Sequence, residues 1–215
     1  MHKLRKVPTI GITGGSCSGK TTIALMLQER FIKKTCVILS QDAYYKDRSC
    51  IKIEERDKIN FDHPSAFDNH LFIEHIRKLK DSLTIRTPIY DFITHTRKNN
   101  KILIKPPDVL LIEGLYLFLE ERLLNEIDYK IFIDCPADIR LIRRIKRDMV
   151  ERGRTLDSIL NQYFNSVRIM HNIFVEQQKN KADIIINGEK INEATIDILA
   201  GAINELLKNK INLFI

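Results

Sequence analysis

The sequence predicts an α/β fold, a parallel sheet with helices on both faces, and three observations carry that prediction. Short apolar runs of strand length alternate with stretches of helical spacing. Two of the runs, DVLLI at Asp108–Ile112 and KIFID at Lys130–Asp134, are continuously apolar, as strands buried on both faces are. The first run, PTIGIT, opens directly into Gly14–Thr21, a full G-x-x-x-x-G-K-[ST] match, and then into an amphipathic helix. The third observation specifies the class further, as a P-loop NTPase fold.

Taken in order, Val7–Thr13 reads as a buried strand and Lys20–Ile32 as the helix that follows the Gly-rich turn. Thr35–Ser40 is a second strand. Asn69–Leu79 has helical spacing, with Leu71, Phe72, Ile76 and Leu79 on one stripe. Leu83–Phe92 and Lys101–Ile104 suggest a small antiparallel excursion turning at the polar Lys98–Asn100. After the two core strands, Pro136 opens a helix to about Val150, whose expected apolar stripe is Leu141, Ile142, Ile145 and Met149. Thr155–Glu176 is a further helix, Ala182–Ile186 a last strand and Asn192–Leu207 a final helix.

Composition narrows the class. With 44% hydrophobic and 29% charged residues, the chain is too apolar to be disordered. No run approaches the roughly 18 uncharged apolar residues of a membrane span, and the N-terminal stretch lacks a signal-peptide pattern. The four cysteines (Cys17, Cys36, Cys50 and Cys135) form no CxxC pair, so reduced thiols in a cytoplasmic protein are expected. A net charge of +7 points to anionic partners without naming them.

The chemistry begins at the P-loop. Gly14, Gly15, Ser16, Cys17, Ser18 and Gly19 form a turn whose backbone N–H groups can face phosphate oxygens, with Thr22 at the helix start. Lys20 is expected at the β- and γ-phosphates and the Thr21 hydroxyl at Mg²⁺. This fixes a nucleoside triphosphate but not a function, leaving a small-molecule kinase, a GTPase switch and a nucleic-acid-dependent ATPase. Asn180-Lys-Ala-Asp183 imitates a guanine-reading motif but precedes its strand, which puts it on the wrong edge of the sheet. A helicase would need a longer chain.

Ligands of open α/β sheets bind beyond the carboxyl ends of the strands, where Asp42 and Glu113 follow theirs. Glu113 suits Mg²⁺ held through waters, and Asp42 suits a hydroxyl's proton. The run from Arg140 to Arg154 ends in Arg152-Gly-Arg154, where Gly153 breaks the helix and lets guanidiniums fold over phosphates. These features favour the kinase.

Six motifs in order then carry a specific resemblance: GGSCSGKTT, SQDAYYKD, NFDHPSAFD, PIYDFITHTR, LLIEG and RLIRRIKRDMVERGR, the last followed by Gln162. From about Ile10 to Ile186 the chain resembles the uridine kinase (uridine–cytidine kinase) family. The resemblance implies transfer of phosphate from ATP or GTP, with Mg²⁺, to the 5′-hydroxyl of uridine or cytidine, in cytoplasmic pyrimidine salvage, by a homotetramer with no nucleic-acid or membrane partner. It implies Asp42 as the catalytic base and Thr21 and Glu113 at the metal. Tyr45, Phe61, Asp62, Tyr90, Phe92, His95, Arg144, Arg154 and Gln162 would contact the nucleoside, with Asp62 on the ribose hydroxyls and His95 on the pyrimidine edge. Arg147 and Arg152 would face the phosphates. The expected organisation is one P-loop kinase domain over residues 1–215, with a hairpin substrate insert at about 83–104 and an Arg-rich lid at about 140–155.

Overall fold

The computed structural model describes residues 7–31, 34–56 and 59–212. Ile32, the expected end of the first helix, and the two ends of the chain lie outside the described residues. Five parallel strands form the central sheet: β1 (Thr9–Gly14), β2 (Cys36–Ser40), β5 (Val109–Gly114), β6 (Tyr129–Asp134) and β7 (Ile184–Asn187), in the order β2-β5-β1-β6-β7. Side chains alternate across the sheet. Ile10, Ile12, Leu111 and Ile131 pack with α1 (Lys20–Arg30) and α8 (Glu193–Asn212) on one face, while Leu110 and Ile112 pack with α3 (Asn69–Lys80) on the other. Continuously apolar strands are the sequence signature of this double burial.

Asp68 caps α3 by accepting from the Leu71 amide at 3.1 Å, and Phe72, Ile76 and Leu79 are buried beneath it, as the stripe predicts. Asp183 of the N-K-x-D segment accepts from the Lys130 amide at 2.8 Å, at the entry of β6. It lies at the edge opposite the P-loop and joins two strands there.

Two expectations are corrected. The antiparallel pair is β3 (Ile85–Asp91) with β4 (Thr96–Ile104), so β4 runs straight through Lys98–Asn100 and the turn is Phe92–His95. Asp91 Oδ1 accepts from the amides of Ile93 (2.8 Å) and Thr94 (3.2 Å), and His95 closes the turn with φ +56°. The polar residues Lys98, Asn99 and Asn100 sit in a strand because β4 is exposed there and has no core to fill.

The second correction concerns α5 (Ala137–Arg152). Its buried residues are Arg140, Arg144 and Asp148, spaced i, i+4, i+8, whereas Ile142 and Met149 of the expected stripe are about half exposed. The charged face is turned inward because a cleft needs it there. Beyond Gly153 the chain is helical from Leu156 to Lys181, with α6 (Leu156–Gln162), α7 (Arg168–Met170), and two π-helical turns at Tyr163–Val167 and His171–Val175. Such widened turns frequently mark functional sites.

Candidate active site

The carboxyl ends of β1, β2 and β5 open into one cleft of about 1210 Å³. At its floor the backbone leaves β1 through Gly14, at φ +151°, where a Cβ would stand 2.5 Å from the Ile133 carbonyl oxygen. Gly19, at φ +104°, is the N-cap of α1. Both positions use conformations that L side chains rarely adopt. Ser16, Cys17, Gly19, Lys20, Thr21 and Thr22 line the cleft, while Gly14, Gly15 and Ser18 lie behind its wall. Lys20 is buried, and its ammonium donates to the Gly15 carbonyl at 2.9 Å.

Ser40 and Glu113 are register partners on β2 and β5. The Ser40 hydroxyl donates to Glu113 Oε1 at 2.5 Å and accepts from the Asp42 amide at 3.3 Å, capping the 3-10 turn Gln41–Tyr44. One hydroxyl thus ties both acids of the sheet edge. Burial pushes the Glu113 pKa up, the charge of Asp42 adds to that, and Lys20 and the Thr21 hydroxyl oppose it. Glu113, with the hydroxyls of Ser40 and Thr21 against it and the charge of Asp42 nearby, makes an all-oxygen donor set.

On the other side of Asp42 the wall is aromatic. Tyr45 packs on Tyr90 (ring centroids 5.0 Å apart) and Tyr90 on Phe92 (5.2 Å), and Phe61 stacks on His95 at 4.1 Å and 14°. Burial pushes the Tyr90 pKa up to about 12, and its buried hydroxyl has no hydrogen-bond partner among the described residues. Asp62 borders this recess and is only 9% exposed. The predicted residues Tyr45, Phe61, Asp62, Tyr90, Phe92 and His95, drawn from segments up to 50 positions apart, therefore share one recess.

The lid helix forms the roof. Arg144 donates to the Ser16 hydroxyl at 3.2 Å and to Gln162 Oε1 at 2.9 Å, joining the P-loop to the second helix. Arg154 donates to the same Gln162 oxygen and to the Ser158 hydroxyl at 2.8 Å. Arg152 stands over the Phe92 ring, 4.4 Å from its centroid, so the hairpin turn touches the lid. Arg147 and Arg152 both line the cleft. Burial, followed by the neighbouring Arg147, holds the Arg152 pKa below its usual value.

Sequence reasoning missed two groups. Asp148, fully buried, faces Arg144, Arg147, Arg152 and Arg154, and the i, i+4 spacing of Arg144, Asp148 and Arg152 was a legible signal for it. The other is Ser166, one turn beyond Gln162, whose hydroxyl donates to Asp62 Oδ2. Among the described residues, no cluster of three His, Cys, Asp or Glu side chains could hold a metal, and no helix is long and apolar enough to cross a membrane.

The model of the Phosphoribulokinase / Uridine kinase family matches residues 9–194. A uridine kinase of Anoxybacillus flavithermus is 48% identical over 206 residues, covering 95% of this chain and 98% of its own. A uridine kinase of Clostridium tetani is 45% identical over 199 residues, covering 93% and 95%. Among solved structures, a phosphoribulokinase of Rhodobacter spheroides has a TM-score of 0.64 at 18% identity, covering 86% of this chain and 74% of its own. A D-glycerate 3-kinase of Cryptococcus neoformans has a TM-score of 0.60 at 16% identity, covering 86% and 81%. These two share the fold.

Proposed function

The chain belongs to the phosphoribulokinase/uridine kinase family, and from that premise we infer that it is a uridine kinase, moving the γ-phosphate of ATP to the 5′-hydroxyl of uridine or cytidine. The observation that carries the reading is the continuity of the cleft: a phosphate cradle at one end and an aromatic recess with a buried carboxylate at the other, with Asp42 lining the same space. A triphosphate and a flat, diol-bearing acceptor fit such a space end to end.

In this mechanism the amides of the P-loop and the helix α1 N-terminus hold the triphosphate, and Lys20 leaves the Gly15 carbonyl for the β- and γ-phosphates. Thr21 and Glu113, with their hard oxygen donors, would hold Mg²⁺, which neutralises phosphate oxygens when bound. The fit rests on the donor chemistry: Glu113 lies at the end of β5 beside Asp42, with the Ser40 and Thr21 hydroxyls against it. Few protein ligands are needed, because Mg²⁺ keeps waters and substrate phosphates.

Asp42 takes the proton of the 5′-hydroxyl as its oxygen bonds to the γ-phosphorus and the bridging P–O bond to ADP breaks. Asp62 accepts from the ribose hydroxyls, with Arg144, Arg154 and Gln162 around it. Tyr45, Phe61, Tyr90 and Phe92 wall the base, and His95 meets its polar edge. Arg147 and Arg152 stabilise charge on the transferring group and exclude water.

GTP as an alternative donor, a homotetramer, and a cytoplasmic place in pyrimidine salvage without nucleic-acid or membrane partners belong to the same proposal. So does a single kinase domain over residues 1–215, with the 83–104 insert and the 140–155 lid. The outward apolar side chains of α5, Ile142, Met149 and Val150, support self-association.

The rival within the family is a sugar-phosphate acceptor. The recess favours the nucleoside, because Tyr45, Phe61, Tyr90, Phe92 and His95 give a flat base a set of rings to pack on. Offering uridine, cytidine, adenosine, guanosine and ribulose 5-phosphate with Mg-ATP tests the choice. The pyrimidine nucleosides should be phosphorylated, and preference for the sugar phosphate would replace this reading.

A further inference from the structure

We propose that Ser166 is a positioning residue that aims the Asp62 carboxylate and thereby sets how strongly the site prefers ribose to 2′-deoxyribose. The inference rests on the reading that Asp62 holds the ribose hydroxyls.

Asp62 is fixed from several sides. Its amide donates to Asn60 Oδ1 at 3.0 Å, and its carbonyl accepts from the Tyr116 hydroxyl. Oδ2 accepts from Gln162 Nε2 at 3.2 Å and from the Ser166 hydroxyl. Gln162 cannot reverse its amide cheaply, because its own oxygen already accepts from Arg144 and Arg154. Both donors to Oδ2 therefore arrive from the same helical segment, four residues apart, where the helix widens into the π turn Tyr163–Val167.

The consequence is an asymmetric carboxylate. With two donors on Oδ2 and its backbone held, the side chain is locked in χ2, and Oδ1 is the oxygen left for a ligand. A vicinal diol donates best to an acceptor whose lone pairs already point at it, since nothing must be reorganised on binding. Gln162 alone holds Oδ2 at 3.2 Å, a modest contact; Ser166 supplies the second, which removes the remaining freedom. Without it the carboxylate is held by Gln162 alone and can rotate about χ2, so that Oδ1 no longer presents a fixed acceptor to the diol. A 2′-deoxyribose donates less to Asp62 and gains less from the alignment, so the loss falls mainly on the ribonucleoside.

The test uses three variants of the full chain: Ser166→Ala, Ser166→Thr and Asp62→Asn. Uridine affinity is read as KM, 2′-deoxyuridine affinity as its inhibition constant against uridine, and ATP KM and the denaturation midpoint serve as controls. Ser166→Ala should weaken uridine about tenfold, the value of one hydrogen bond to a charged group, and 2′-deoxyuridine by less than about threefold, with ATP KM and midpoint unchanged. Ser166→Thr, which keeps the hydroxyl, should restore the preference. Asp62→Asn should abolish the preference. If Ser166→Ala keeps the wild-type preference while Asp62→Asn loses it, Asp62 holds the ribose but Ser166 does not aim it. A Ser166→Ala effect that falls equally on both nucleosides also overturns the inference. If Asp62→Asn itself retains the preference, the reading of Asp62 is wrong and the inference goes with it.

Discussion

Asp148 Oδ1 accepts from both Nε and Nη2 of Arg147 at 2.8 Å, although Asp148 is fully buried and Arg147 is one residue before it. Arg144, Arg152 and Arg154 stand within 3.8 Å of the same carboxylate. One buried anion thus gathers four cations over the cleft, and without it they would repel one another. Asp148→Asn preserves the shape and removes the charge. Breaking a buried ion pair costs about 3–5 kcal/mol, so the chemical denaturation midpoint should fall by that equivalent. Added salt should recover part of the loss, because it screens the repulsion among the guanidiniums. A midpoint equal to wild type would mean that the lid is held by other contacts.

Asp42 is assigned the proton of the attacking hydroxyl. General-base help contributes about 10²–10⁴-fold, so Asp42→Asn should lower kcat by that factor while uridine and ATP binding persist. Single-turnover kinetics with calorimetric binding measurements separates the two. Near-normal turnover would remove Asp42 from the chemistry.

Arg152 belongs to the lid and His95 to the hairpin turn, and they should fail differently. Arg152→Ala removes a donor to transition-state charge and should cost about 2–4 kcal/mol in kcat, with nucleoside KM little changed. His95→Asn keeps a residue that tolerates the left-handed turn but loses the stack on Phe61, so it should blur discrimination among bases instead. Steady-state kinetics over the nucleoside panel reads both. Should both variants alter only the nucleoside KM, the division between lid and insert is wrong.

His171 sits behind the P-loop, beside Gly15 and Arg140, and burial together with the charges of Arg140 and Lys20 pushes its pKa down to about 4. Glu176 lies 3.3 Å from its Nε2 but is half exposed, so solvent weakens that attraction. The unfolded chain takes up this proton near the ordinary value of 6.5, well before the folded protein does. His171 therefore costs nothing above that pH and destabilises the fold as pH drops from 6.5 toward 4, by up to about 3 kcal/mol. Stability measured against pH should show a steeper acid loss in the wild type than in His171→Gln. Parallel curves would place the loss on other groups.

Much of this was legible in the sequence, for reasons particular residues make plain. Continuous apolar runs as short as DVLLI fit strands buried on both faces, and at Gly14 the φ of +151° leaves the P-loop turn to glycine. The hairpin turn was misplaced because Lys98–Asn100 has turn composition, whereas the deciding signal was a single Asx cap at Asp91. The arginine face of α5 was legible as a lid, but its apolar stripe was not the buried side, because Ile142 and Met149 stand half exposed while Arg144 and Asp148 fill the cleft roof. Ser166 was missed because its partner Asp62 lies 104 residues away, beyond any local pattern.

The most direct test of the whole account is a single-turnover reaction of the protein with Mg-ATP and uridine, with the products identified by mass and by phosphorus coupling to the 5′ carbon. One UMP should form for each ADP, phosphorylated at the 5′ position, with no phosphoryl transfer to 5′-deoxyuridine. ADP formed without UMP, or a phosphate on the 2′ or 3′ oxygen, would contradict it.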